Sequence, residues 1–383
     1  MKYRVTCLTP TLIGDGRKLA PIDYMVWRDQ VNVLDQTRIF RLLAKGPRLE
    51  GYLSQLKKAE KLDFASWGGF AQNYSERRIP FEHASSSQYW QKANALDLFI
   101  PTFAAGPRGA YLPATSIKGA LRTSVIHARA NDEMLKQASQ RAASGEGRAV
   151  RHATQGLEDS AIGQGGADDM RVVAAADSLP VPDGVFKVYL LRVSTLESRG
   201  AGKYEVAWKT SPRGSSRRAE DSTAMFAEMA IPGTVFEGDW KENAFLRSPE
   251  VSKVLRRRER LDTASLFKLV NTATADLIRL HKQYAEWTGL GELRSNMDAL
   301  ESKLAGAVES GASCVLPIGW GAGFFSKTAF SNTQDPAYRE ILRQLPFYSR
   351  AIQSGLPFPK TRRIVFVNNQ PSTIAGFVQV EVS

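Results

Sequence analysis

Lys118 and Arg122 stand one helical turn apart just after Thr115-Ser116, and between them these residues carry what a phosphate needs. Ile117, Leu121, Val125 and Ala128 recur at the spacing that gives a helix one apolar face, so Lys118, Arg122 and Arg129 fall on a neighbouring one. Thr115 or Ser116 is the expected cap. First-turn N–H groups without carbonyl partners, at the positive end of the helix dipole, attract an anion. Gly119 lacks a Cβ and admits a second backbone or a sugar. A capped helix with merely solvated cations has the same sequence, so both readings stand at this point.

The second conspicuous stretch is Leu316-Pro317-Ile318-Gly319-Trp320-Gly321-Ala322-Gly323-Phe324-Phe325-Ser326-Lys327-Thr328. Gly-x-Gly-x-x-Gly fails in both registers and no Gly-Lys-Ser/Thr occurs, so neither a dinucleotide fingerprint nor a Walker loop is present. Gly319, Gly321 and Gly323 expose backbone N–H groups, Trp320, Phe324 and Phe325 offer faces for base stacking, and Lys327 a charge. A glycine-rich turn beside core aromatics is the plain alternative. Lys360, Arg362 and Arg363 follow a Pro-stiffened run, and Lys209, Arg213, Arg217 and Arg218 belong to a basic loop. His83, His127, His152 and His281 lack metal-ligand spacing, and no Gly-x-Ser-x-Gly elbow appears. No cofactor and no metal are expected.

The elements that must position these residues are mixed. At 383 residues and 43% hydrophobic content, the chain is long enough for two or three domains with a proper core. Its formal net charge of +12, despite 39 acidic residues, points to a polyanionic partner. No apolar run reaches the length of a membrane span, and a cytoplasmic location is expected. Cys7 and Cys314 lie far apart in apolar surroundings and read as buried thiols.

Tyr3, Val5 and Cys7 alternate as one buried strand face. A hairpin at 24–34 turns at Arg28-Asp29-Gln30, and Asp35 or Thr37 caps a helix carrying Ile39 and Leu43. Residues 131–169 have the composition of a mobile insertion. A long strand at 185–195 pairs with 204–208, residues 245–308 are mostly helical, and 364–367 with 377–380 reads as a terminal hairpin. The class is α+β.

Gly106 to Val125, with its Tyr-Leu-Pro-Ala-Thr-Ser-Ile-Lys-Gly-Ala-Leu-Arg core, resembles the Pro-Gly-Ser-Ser-Ile-Lys-Gly-x-Leu-Arg signature of the RAMP superfamily of CRISPR-associated proteins. Gly319 to Lys327 resembles its glycine-rich loop. Leu8-Thr9-Pro10 to Gly16, Arg171 to Ser178, Ile231 to Thr234 and the run Pro357 to Arg363 are similar, more particularly, to the fifth-subunit family of the type III-A Csm effector complex. Ala114 stands where the signature usually has Gly.

The resemblance implies two ferredoxin-like (RRM-like) modules, here 1–180 with its insertion and 181–383 with the helical 245–308. It also implies binding of CRISPR RNA near its 3′ end, contact with the adjacent backbone subunit and other Csm subunits, and maturation through recruited nucleases, without catalysis. Lys118 and Arg122 would grip phosphates, Thr115 and Ser116 would present hydroxyls, and 209–218 would form an RNA-contacting protrusion. The rivals are an endoribonuclease using His127 or His83, a metal-dependent cut through Asp177, and a scaffold that touches only protein.

Overall fold

Strand β1 (Lys2–Cys7) buries Tyr3, Val5 and Cys7, and that alternation places it inside a sheet. The computed structural model describes residues 1–58, 73–143, 156–200, 202–212, 214–255 and 261–383. Downstream come the hairpin β2 (Tyr24–Trp27) and β3 (Gln30–Leu34), then helix α1 (Gln36–Leu43). Arg28 and Asp29 take positive φ between the two strands, as a two-residue hairpin turn requires. Asp35 caps α1 by accepting the Arg38 N–H at 2.9 Å, as its sequence implies. Strand β4 (Ser75–Pro80) completes a three-stranded sheet with a small apolar centre of its own around Met25, Ile39 and Tyr52.

Helix α2 (Ala114–Arg129) carries the phosphate-site motif, and Ile117, Leu121 and Val125 are buried as their spacing demands. Helix α3 (Asp132–Ala143) and a helical turn at 156–162 follow. Next are β5 (Val173–Ala175), the long β6 (Phe186–Gly200), β7 (Lys203–Lys209), β8 (Met225–Ala230) and β9 (Val235–Glu242). Helices α4 (Thr263–Thr288) and α5 (Gly291–Ser310) form a hairpin, each ended by a left-handed glycine, Gly289 and Gly311. The chain closes with β10 (Ser313–Pro317), α6 (Pro336–Gln344), α7 (Pro346–Gln353), β11 (Thr361–Val367), β12 (Gln370–Thr373) and β13 (Phe377–Val382).

The first sheet runs β10-β13-β1-β9-β5 with every neighbouring pair antiparallel. The second is built on β6, which pairs with β7, β8 and β11, with β12 beyond β11. The class is α+β, with antiparallel sheets and helices. Strands on both sides of residue 180 share the first sheet. Helix α4 shields the sheet edge at β10: Asn271 donates to the Ser313 carbonyl at 3.1 Å and accepts the Val315 N–H at 2.9 Å, while Thr274 donates to the Val315 carbonyl.

One expectation changes. The 364–380 hairpin is instead β11-β12, turned at Asn368-Asn369 with positive φ, and β13 crosses to the other sheet. Within 131–169, expected from composition as a mobile insertion, Met134, Leu135, Leu157, Ala161 and Ile162 are buried, an apolar set that low-complexity composition concealed. Residues 144–155 of that stretch lie outside the described residues. Cys7 and Cys314 are free and buried.

Candidate nucleic-acid interface

The segment after β1 ties together the two stretches that the sequence keeps 200 residues apart. Ala104, on the approach to α2, donates its N–H to the Ile13 carbonyl at 2.7 Å, and Trp320 donates to the Leu12 carbonyl at 2.8 Å. Gly319 sits at φ +79°, where a Cβ would overlap the Leu12 carbonyl oxygen, and Gly376 likewise abuts the Ile318 carbonyl. Those glycines allow three backbones to meet. Their first duty is close packing, and the glycine-loop N–H groups at Ile318 and Trp320 are spent on protein carbonyls.

Beside this junction runs a groove of about 1070 Å³. Thr115, Ser116, Gly119 and Thr123 of α2 form one wall, Gly319, Trp320, Ser326 and Lys327 another, and Lys209 to Pro212 a third. A second cavity of about 590 Å³ adjoins it, with Val193, Trp320 and Lys327 common to both. Gly321, Gly323, Lys360, Arg362 and Arg363 line the second cavity. The helix start and the glycine loop therefore share one continuous depression.

Its charge is one-sided. Arg17, Lys18, Lys209 and Lys327 line the first cavity with Asp97 as the carboxylate in its wall, Arg17 also lying 3.4 Å from Asp15, and Lys360, Arg362 and Arg363 line the second with no carboxylate. Burial, then the nearby Lys209 charge, hold the Lys360 ammonium below its ordinary pKa, partly offset by Glu197. Burial lowers Arg362 to about 10, so it remains a cation at neutral pH. Arg363 lies 4.2 Å over the Trp320 ring and Lys18 5.4 Å over the Phe99 ring. Arg17, Lys18 and the 40%-exposed Phe99 escape the sequence reading, although Arg17-Lys18 directly follows the Gly14-Asp15-Gly16 turn.

Several expected residues stand elsewhere. Arg122 donates to Glu158 at 2.9 Å and to Asp168 at 3.0 Å, and neither it nor Lys118 lines the groove. The cap is neither Thr115 nor Ser116: Pro113 precedes the helix, and the Asp177 carboxylate accepts the Ala114 N–H at 2.8 Å. The Ser116 N–H turns back to the Pro113 carbonyl at 3.0 Å, so the helix start is a smaller anion site than its sequence suggests. Arg217 is 3.9 Å from Glu205, and Arg218 lies near Glu220 and Asp221. Phe324 packs on Tyr348 and Phe358, and Phe325 is buried. Arg213, His152 and the basic run 256–260 lie outside the described residues.

The candidate acid–base groups are tied down. His127, 9% exposed, has Nε2 3.6 Å from Asp276 and Nδ1 3.3 Å from the Thr328 carbonyl. His83 Nδ1 meets the Ser85 hydroxyl at 2.8 Å. Among the described residues, no three His, Cys, Asp or Glu side chains gather as metal ligands do, and no helix is long and apolar enough to cross a membrane.

No curated protein matches the chain. One chain of a cryo-EM Csm–crRNA–target RNA ternary complex from a type III-A CRISPR-Cas system has a similar fold, with a TM-score of 0.65 at 20% identity over 100% of both chains. The crystal structure of T. onnurineus Csm5 is similar at a TM-score of 0.58 and 18% identity, covering 99% of this chain and 100% of that one. Residues 4–326 match the RAMP superfamily itself. A match across that much of the sequence, on a fold shared end to end, makes this chain a member of the RAMP superfamily.

Proposed function

We propose that this chain is an RNA-binding subunit of a type III-A CRISPR effector, corresponding to Csm5, which holds the 3′ region of the CRISPR RNA. It is built on two ferredoxin-like modules, caps the filament of backbone subunits in the cytoplasm, and supports RNA maturation through recruited nucleases, with no catalysis of its own. The observation that carries this reading is the continuous depression in which cations outnumber a single carboxylate between α2 and the glycine loop. A single-stranded polyanion fits such a surface without base readout, because charge supplies the affinity and backbone-lined walls the shape. His127 is buried beside Asp276 and the Thr328 carbonyl and lines neither cavity, which supports the non-catalytic part.

Fluorescence anisotropy of the full chain with single-stranded RNA across a salt series tests the reading. If about six cations meet phosphates, the log-log slope is near −4. Photo-crosslinked RNA is expected on peptides spanning 115–122 and 319–327. A slope near zero, with adducts elsewhere, removes the electrostatic groove. RNA cleavage that disappears in His127→Ala would replace the binding subunit by an endoribonuclease.

A further inference from the structure

The second cavity differs in chemistry from the groove it adjoins. The groove's polar side chains are hydroxylated and cationic, as a sugar-phosphate backbone needs, and they are set among scattered apolar ones such as Leu12, Leu96, Phe99 and Met225. Behind the glycine loop the lining turns aromatic: Phe324 stacks edgewise on Tyr348 at 5.4 Å, and Tyr348 on Phe347 at 5.1 Å. Phe347 is 86% exposed, a large ring standing in water at the cavity's rim. The same chain buries Tyr284, Phe325 and Phe377 and leaves this ring in water.

The floor of the cavity supplies an independent observation. His281 is 3% exposed and its Nδ1 has no hydrogen-bond partner; Arg362 is 7% exposed and its Nε has none; the Arg363 Nε is also buried without one. All three residues line this cavity. Orphaned buried polar atoms are costly and uncommon, and three of them belong to residues that line this one cavity. Burial and the neighbouring Arg362 charge depress His281 to about 3, so its ring is neutral and offers hydrogen bonds without charge. The cations, with no carboxylate among the lining residues, favour an anionic ligand, and the aromatic rim offers its faces to a planar group.

We propose that the cavity between the glycine loop and Pro359–Arg363 binds one nucleotide unit, with its base against Phe347 and Tyr348 and its phosphate on Lys327 and Lys360. At about 590 Å³ the cavity lies in the range of small-molecule sites and admits one mononucleotide. The inference rests on the RNA-binding reading for its favoured source: a nucleotide of the strand leaves the neighbouring groove through the shared edge at Trp320 and Lys327. A free nucleoside monophosphate carries the same chemistry and is the other source.

The test compares wild type, Phe347→Ala and Phe347→Trp, since an exposed ring is replaced without disturbing the fold. Single-stranded RNA is titrated across salt, and uridine and adenosine 5′-monophosphate are titrated by calorimetry. If the unit comes from the strand, Phe347→Ala weakens RNA about tenfold with an unchanged salt slope, and Phe347→Trp restores it. If it is free nucleotide, RNA affinity is unchanged, but saturable monophosphate binding is lost in Phe347→Ala and kept in Phe347→Trp. Equal behaviour of all three proteins toward both probes overturns the pocket. The RNA reading fails separately, by salt-independent or absent RNA binding in wild type.

Discussion

The two cationic regions of this molecule look alike in the sequence and are opposite in the structure. On the flank of α2, Arg122 is answered by Glu158 and Asp168, and Arg129 by Asp169. In the groove and the cavity adjoining it, Lys209, Lys327 and Lys360 share their walls with one carboxylate, Asp97. The acids on the flank come from 156–169, a stretch whose composition suggests little structure. They consume the charge of the motif that looks most like a phosphate grip. What decides whether a cation is free for a ligand is its carboxylate neighbours, and these are distant in sequence.

The most demanding test of that contrast removes the unanswered charges. Lys209→Ala, Lys327→Ala and Lys360→Ala together are expected to lower affinity for single-stranded RNA by roughly 10³-fold near 50 mM salt and to flatten the salt slope by about 2, as three lost phosphate contacts require. Anisotropy at four salt concentrations measures both. Loss of affinity with the slope unchanged would mean that these lysines shape the groove without touching phosphate.

The walls of the groove sharpen the contrast next. Gly319→Ala puts a Cβ against the Leu12 carbonyl at φ +79° and is expected to cost about 3 kcal/mol, read as a lower urea midpoint. Gly323→Ala, at φ +91° with open space around it, should cost about 1 kcal/mol. Equal costs would dissolve the assignment of Gly319 to backbone packing. His281 gives a pH counterpart. Its pKa falls from 6.5 to about 3 on folding, so the unfolded chain takes up the proton first. Stability from this group is complete above pH 6.5 and declines as pH drops toward 3, by about 2 kcal/mol at pH 5. Melting curves of wild type and His281→Gln should converge over that window, with the variant losing the extra acid sensitivity.

Local pattern carried much of this fold. The alternation of Tyr3, Val5 and Cys7, the Asp35 cap, the hairpin at Arg28-Asp29 and the 245–308 helices are each encoded within a few residues and stand where the sequence places them. The site was legible as two segments but not as one surface, because the bonds joining Ala104, Ile13, Leu12 and Trp320 are backbone bonds without side-chain signature. The cap on α2 was illegible for a related reason: Asp177 reaches Ala114 from 63 residues away, and the adjacent hydroxyls are the local competitors that lose. Phe347 carried no pattern to distinguish it from a core ring.

The smallest expected effect is also the cleanest discriminator between the two regions. Arg122 is about one-third exposed and holds two carboxylates, so Arg122→Ala is expected to cost about 1 kcal/mol, as a partly solvated ion-pair network does, and to lower Tm by a few degrees. RNA affinity should stay within twofold of wild type, because a guanidinium already engaged by Glu158 and Asp168 has no charge to spare for a phosphate. A double-mutant cycle with Asp168→Ala should recover part of the stability loss, since the two changes remove one shared interaction. Should Arg122→Ala instead weaken RNA tenfold at unchanged Tm, the carboxylates on this flank would have to yield to RNA on binding. Glu158→Gln would then tighten RNA binding, and the distinction between an answered and an unanswered surface would become one between two states of the same protein.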